Sequence, residues 1–266
     1  MIHMKQLLRT KLAIITTLAL TATSFAQDAG EVREQITCNT AAGIITFLGK
    51  FETIAAKNRD TVMMVPEAKL TINDGGGFPD RFFVRDSERE TSFEFGAEGT
   101  VVGFEKIISY PPEAELCIED KARAGTPKSD DAFNFAMGAD IQFRDKKGFH
   151  DLASLKDGLK DGKIHYKKMV PAPMRVLVPT FSHVMINYDD ESVAPQFTAM
   201  NGESEVAGLA SDVFCKQTII KVDDIKSLGG DGLKVSGGAY TLLPVPNKKM
   251  LERFTGCAED DAEVQE

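Results

Sequence analysis

The first strongly patterned stretch of the chain, residues 40–57, carries apolar residues at helical spacing. These residues are Ile44, Phe47, Leu48, Phe51, Ile54 and Ala55. Side chains three, four and seven positions apart lie on one face of an α-helix. The pattern therefore predicts an N-terminal helix that directs its apolar face towards the core. Gly43 and Gly49 each weaken this helix by about 1 kcal/mol relative to alanine, so tertiary packing has to hold it.

After this helix the pattern changes to a period of two, which is typical of β-strands. Strands are predicted for residues 61–65, 68–73, 81–85, 91–95, 99–109, 114–120 and 133–143. The last of these alternates most clearly, with Asp140 and Gln142 on its polar side. This is the pattern of an antiparallel sheet that buries one face and exposes the other. The polar segment 120–131 predicts a long loop or linker.

The second half of the chain mixes both periods. Helices are predicted for residues 149–160, 204–215 and 247–254. Strands are predicted for residues 163–170, 174–178, 183–187, 195–200, 217–222 and 239–243. The elements together predict an α+β fold, mainly antiparallel and sandwich-like, with an N-terminal helix and two or three short helices.

The same pattern suggests how the chain is divided. Residues 27–145 are predicted to form one lobe, with the N-terminal helix and its sheet, and residues 146–257 a second α+β lobe. Residues 258–266 are predicted to be a disordered acidic tail.

The segment before the first helix is typical of a secretory signal peptide. Lys5, Arg9 and Lys11 precede an apolar run at residues 12–22. This run is about half as long as the roughly 20 residues that span a bilayer. Small residues follow, which predicts cleavage after Ala26. We therefore expect a soluble protein, exported by a bacterial Sec-type signal to the periplasm or beyond, with no membrane span after cleavage.

Charge limits the partners of such a protein. The whole chain carries a net charge of −9, and removal of residues 1–26 takes away three basic and no acidic residues, which leaves −12. An acidic surface repels nucleic acid and anionic lipid, so nucleic acid is not expected as a partner. A phosphate-binding role would need a strong local basic patch.

One basic cluster, formed by Lys163, Lys167, Lys168 and Arg175, could supply that patch. It could contact an acidic partner or a lipid phosphate. The favoured expectation is different, because lysines and prolines on an edge strand commonly protect that strand from aggregation.

Four cysteines, Cys38, Cys117, Cys215 and Cys257, remain after export. No two of them form a C-x-x-C pair, so neither a zinc knuckle nor a thioredoxin-like pair is indicated. An even number in an oxidising compartment predicts two disulfides, for which three pairings exist. The pairing Cys38–Cys117 with Cys215–Cys257 is favoured, because each bridge then closes a loop within one half.

Signatures of catalysis are absent from the sequence, including G-x-S-x-G, S-x-x-K and the phosphate loop. Ser182, His183, Asp189 and Asp190 lie close together in sequence. Adjacent residues on a strand point to opposite faces, so Ser182 and His183 are not expected to meet.

Histidines give no metal signature either. His150, His165 and His183 are too far apart in sequence to place two ligands on one face of an element, so no metal or cofactor is predicted. His165 alternates with Lys163 and Lys167, which indicates an exposed strand face.

Two classes of function remain. The first is a non-catalytic binding or interaction protein of the cell envelope, whose phenylalanine-rich sheet interior holds an apolar small ligand or which docks an envelope protein. The second is an exported hydrolase with a site assembled from distant residues. The surface and site candidates are His183, Asp189, Asp190, Lys163, His165 and Lys167.

Overall fold

The computed structural model describes residues 32–126, 132–144, 148–188, 196–214 and 217–255, without the side chains of 252–255. Its strands are β1 (Ile36–Thr40), β2 (Val62–Ile72), β3 (Arg81–Arg85), β4 (Glu90–Phe95), β5 (Val101–Val102), β6 (Glu115–Glu119), β7 (Phe133–Phe143), β8 (Phe149–Asp151), β9 (His183–Tyr188), β10 (Gln196–Asn201), β11 (Ser204–Gly208), β12 (Asp212–Phe214), β13 (Gln217–Lys221), β14 (Gly232–Ser236) and β15 (Tyr240–Val245). Its helices are α1 (Ala42–Glu52), α2 (Leu152–Met169), α3 (Val222–Ser227) and α4 (Lys248–Thr255). Short 3-10 turns lie at Ala56–Asn58, Ala97–Gly99, Phe104–Ser109 and Ala172–Leu177.

The described strands form four sheets, in which neighbouring strands are antiparallel throughout. Their orders are β1-β6-β3-β4-β5, β11-β10-β14-β8, β12-β13-β9-β15 and β2-β7. The predicted α+β class with mainly antiparallel strands is therefore confirmed. The predicted signal peptide, Asp189, Asp190, Cys215, Cys257 and the acidic tail lie outside the described residues.

The two-stranded ribbon of β2 and β7 pairs from Val62 opposite Phe143 to Ile72 opposite Phe133. The two predicted strands 61–65 and 68–73 are thus one strand, which accommodates Pro66 because β2 is an edge strand. The polar side predicted for the 133–143 strand is wrong in its second half, where Asp140 and Gln142 are buried. They are buried because β7 packs against both α2 and β15.

Two predicted strands, 163–170 and 174–178, are wrong. The first is the C-terminal half of α2 and the second lies in the 3-10 turn Ala172–Leu177. The helix continues through residue 162 because Leu155, Leu159 and Met169 form one buried stripe at helical spacing. The alternation of lysines with His165 is coincidental.

The predicted helix 204–215 is also wrong, since this segment contains β11 and β12. Its apolar residues have helical spacing, but Val206 and Val213 are exposed, so they form no buried stripe. The backbone bonds instead complete ladders with β10 and β13. The predicted strand 99–109 reduces to β5 and a 3-10 turn, because Gly103 adopts a φ of 78° between them.

The largest cluster of buried apolar residues extends from Ala41 to Leu242 and includes side chains of α1, α2, β2 and β9. A smaller cluster, which includes Met185, Phe214 and Leu251, lies on the other side of β9. The division into two lobes near residue 145 stays a prediction. Among the residues that the structure describes, no helix combines the length and the hydropathy that a transmembrane span requires.

Candidate functional site

Helix α2 positions most of the candidate residues, and local sequence sets both of its ends. At its start the Asp151 carboxylate accepts a hydrogen bond from the backbone N–H of Ser154 at 2.8 Å. The hydrogen bonds from Ser154 hold the pKa of Asp151 below its usual range. The helix ends at Met169 because Pro171 follows, and the residue before a proline disfavours the helical conformation.

Two glycines let α2 approach the sheets closely. A Cβ atom on Gly158 would lie 2.1 Å from the Phe143 ring, and one on Gly162 would lie 2.4 Å from Pro244. These residues are one helical turn apart and therefore share a face. These contacts fix α2 against β7 and β15. The C-terminal end of α2 leads into the surface described next.

The seven residues 171–177, which we call the tip, are all exposed. Val176 is 85% exposed, Leu177 is 65% exposed and Met174 is 49% exposed. Buried Val170 and Val178 anchor the tip at both ends. Pro171 and Pro173 restrict its backbone. Contiguous exposed apolar side chains on an ordered backbone mark a surface that contacts a partner or a membrane.

Four cations lie in the C-terminal half of α2 or in the tip itself, and we call Lys163, Lys167, Lys168 and Arg175 the basic rim. Lys163 Nζ donates to the hydroxyl of Thr180 at 3.2 Å, just beyond the tip. Lys167 lies one turn further along the same helix face. Lys168 Nζ donates to the Thr53 hydroxyl at 2.9 Å.

No member of the basic rim forms an ion pair with a residue that the structure describes. Elsewhere on the surface, by contrast, cations such as Arg85 and Arg123 bond carboxylates directly. The chain from Gly162 to Tyr188 contains no aspartate or glutamate at all. The expected role of these lysines as protectors of an edge strand is therefore wrong, because they lie on a helix.

His165 does not lie on an exposed face, as its alternation with lysines had predicted. It is 1% exposed, its Nδ1–H donates to the Asp161 carbonyl oxygen at 2.9 Å, and its ring stacks on Phe51 at 6.2 Å. Burial lowers the pKa of His165 below its ordinary value of 6.5. This histidine packs α2 against α1.

Ser182 and His183 do meet, contrary to the expectation from strand alternation. Ser182 Oγ and His183 Nδ1 are 2.8 Å apart. The alternation rule does not apply because Ser182 precedes the first residue of β9. Burial, together with the charge of Lys221, lowers the pKa of His183, and the charges of Asp212, Asp224 and Asp223 oppose the shift.

A carboxylate that orients His183 is the part that a triad would still need. His183 has no hydrogen bond to a carboxylate of the described residues. Asp189 and Asp190 follow the far end of β9, a strand of six residues that spans roughly 17 Å, and both lie outside the described residues.

The third histidine, His150, lies apart from the other two. Its Nε2 is 2.7 Å from the Tyr240 hydroxyl, a bond that links β8 of one sheet to β15 of another. The ring of Tyr188 lies tilted against that of Tyr240, with centroids 6.0 Å apart, and burial raises the pKa of Tyr188 to about 12. Sequence reasoning missed these tyrosines, since the strands that carry them are far apart in the chain.

The cysteine prediction is confirmed for one bridge. Cys38 and Cys117 form a disulfide between directly opposite residues of β1 and β6. The Glu115 carboxylate lies within 4.8 Å of both sulfurs, but sulfurs in a disulfide are not the thiolates that bind zinc. The second bridge, Cys215–Cys257, lies outside the described residues and stays a prediction.

A scan against models of protein families found no match, and searches of the curated proteins and of the solved structures found none either.

Proposed function

We propose that the protein is an exported, non-catalytic protein of the cell envelope, which docks to an envelope component through the tip and the basic rim. The single observation that carries this proposal is the tip itself. Val176 and Leu177 are held exposed on an ordered turn, although an isolated protein gains nothing by this arrangement. Their burial in a complex would remove apolar surface from water.

Export supports the envelope as the place of action. The basic and apolar segments before Ala26 are those of a Sec-type signal peptide. The disulfide between Cys38 and Cys117 persists in oxidising compartments such as the bacterial periplasm. Both features are consistent with a periplasmic protein.

Docking is better supported than storage of an apolar small ligand in the sheet interior. The interior phenylalanines contact one another, with ring centroids of Phe82, Phe104 and Phe135 at 5.6–5.7 Å. Such ring-to-ring packing is that of an ordinary core. The apolar-ligand hypothesis stays a prediction.

Cell fractionation tests the proposal. We expect the wild-type protein to sediment with envelope membranes, and the double variant Val176→Glu/Leu177→Glu to remain in the supernatant. The matched control is Val206→Glu/Val213→Glu, which places the same charges at exposed apolar positions of β11 and β12. Equal sedimentation of all three proteins, or none of the wild type, would contradict the proposal.

Hydrolysis is a second candidate, favoured by the 2.8 Å contact between Ser182 and His183. A serine activated by an adjacent histidine is the first requirement of such chemistry. A screen with activated esters tests it. Turnover that is lost in both Ser182→Ala and His183→Ala, with unchanged melting temperatures, would replace docking by catalysis. The docking proposal predicts no turnover in the wild type.

A further inference from the structure

The chemistry of the tip and the basic rim identifies the docking partner more closely. We infer that this surface binds an anionic phospholipid bilayer, with the apolar side chains of the tip inserted below the headgroups and the cations of the basic rim at the level of the phosphates. This inference rests on the proposed docking function and names its partner.

The order of polarity along the surface matches that of a bilayer. The outermost side chains are aliphatic, namely Met174, Val176 and Leu177. Lys163 and Lys167 lie on the helix that leads into the tip, and their long side chains can keep the charge at the interface while the stem contacts apolar material. Interfacial segments of membrane-binding proteins bury apolar residues about 5–10 Å into the boundary of headgroups and acyl chains.

The size of the surface favours lipid over a protein partner. Stable protein interfaces use about 20–30 residues on each side. The tip and the basic rim together offer ten residues, namely 171–177 with Lys163, Lys167 and Lys168. A projecting apolar tip needs a rigid, complementary pocket on a protein, whereas lipid chains rearrange around it.

Charge determines the orientation and the type of lipid. After removal of residues 1–26 the chain carries −12, so an anionic membrane repels most of its surface. The acid-free segment 162–188, whose cations form no ion pair with a described residue, is therefore a local region in which attraction prevails at short range. Screening lengths of about 8 Å at physiological salt keep this attraction local.

Vesicle sedimentation with the purified, disulfide-bonded protein tests the inference. We expect binding to vesicles that contain phosphatidylglycerol and much weaker binding to pure phosphatidylcholine. Neutralisation in Lys167→Gln/Arg175→Gln should weaken binding about twenty-five-fold, because each cation near an anionic surface contributes about fivefold. Neither side chain makes a described hydrogen bond, so the fold should tolerate the change.

Two controls isolate the surface. Lys226→Gln/Lys249→Gln removes the same charge from exposed positions on α3 and α4 and should leave binding nearly unchanged. Val176→Glu/Leu177→Glu should abolish binding while the melting temperature stays that of the wild type. High salt should weaken wild-type binding.

The outcomes separate the inference from the proposed function. In one outcome the wild type does not bind anionic vesicles, yet it sediments with envelope membranes and Val176→Glu/Leu177→Glu does not. That outcome would overturn the lipid inference and retain docking, with a protein as the partner. Equal loss of vesicle binding in the Lys226→Gln/Lys249→Gln control would also overturn the inference. Loss of vesicle binding in Lys167→Gln/Arg175→Gln, while Lys226→Gln/Lys249→Gln binds as the wild type does, supports the inference.

Discussion

Replacement of both Cys38 and Cys117 by alanine should destabilise the protein strongly. The bridge connects residues 79 positions apart. A cross-link over such a loop lowers the entropy of the unfolded chain by about 15 cal/mol/K, which corresponds to about 4.5 kcal/mol at 25 °C. Measured effects are commonly smaller than this relation gives, so we expect a loss of about 2–4.5 kcal/mol. Domains of this kind have a total stability of about 5–15 kcal/mol.

Urea unfolding followed by circular dichroism measures the effect. The variant should unfold at a lower midpoint and with a steeper dependence on urea, because the unfolded chain without the bridge exposes more surface. A free energy of unfolding within about 0.5 kcal/mol of the wild type would contradict the reasoning from chain entropy. An unchanged urea dependence would contradict it as well.

The same variant tests the second predicted bridge, Cys215–Cys257. A reductant should lower the stability of the Cys38→Ala/Cys117→Ala variant further, because one disulfide remains to be broken. A variant that is insensitive to reductant would contradict the second bridge and leave the first intact.

Two further predictions concern α2 and its surroundings. Gly158→Ala should destabilise the protein by about 1–2 kcal/mol in urea unfolding, because the new methyl group overlaps the Phe143 ring. Gly49→Ala in α1 should stabilise the protein by about 0.5–1 kcal/mol, because no atom lies within 4 Å of the added methyl group. A more stable Gly158→Ala variant and a less stable Gly49→Ala variant would refute the packing described. The pKa values of His165 and His183 are lower in the folded protein than the ordinary value of 6.5 that an unfolded chain has. As the pH falls below 6.5, the unfolded chain therefore binds protons on these histidines before the folded protein does. Stability should therefore decrease from about pH 7.5 to 5.5, and less so in His165→Gln; an equal decrease in that variant would contradict the role of the buried imidazole.

Several elements could be predicted from local pattern alone. The 133–143 strand and the 81–85 strand have the predicted bounds. The N-terminal helix was predicted too long, at 40–57 rather than Ala42–Glu52. Local pattern sufficed for these elements, because each is a continuous stretch of the residue types and spacing that its secondary structure favours.

The prediction errors lie in segments whose secondary structure is determined by tertiary contacts rather than by local pattern. Alternation at Lys163 and His165 suggested a strand, but the glycines at 158 and 162 let the helix continue in close contact with Phe143 and Pro244. Strands β1 and β14 were missed because they are short and their partners are distant in sequence. The basic cluster was found from sequence, whereas its place around an exposed apolar tip required the turn at Ala172–Leu177.

Insertion of the tip into an anionic bilayer can be measured directly, because the chain contains no tryptophan. In Val176→Trp, addition of phosphatidylglycerol vesicles should shift the emission to shorter wavelength, and brominated acyl chains should quench it. Val213→Trp, on the exposed strand β12, should show neither effect. Emission from position 176 that stays the same with and without vesicles, or that is quenched no more than emission from position 213, would contradict the account.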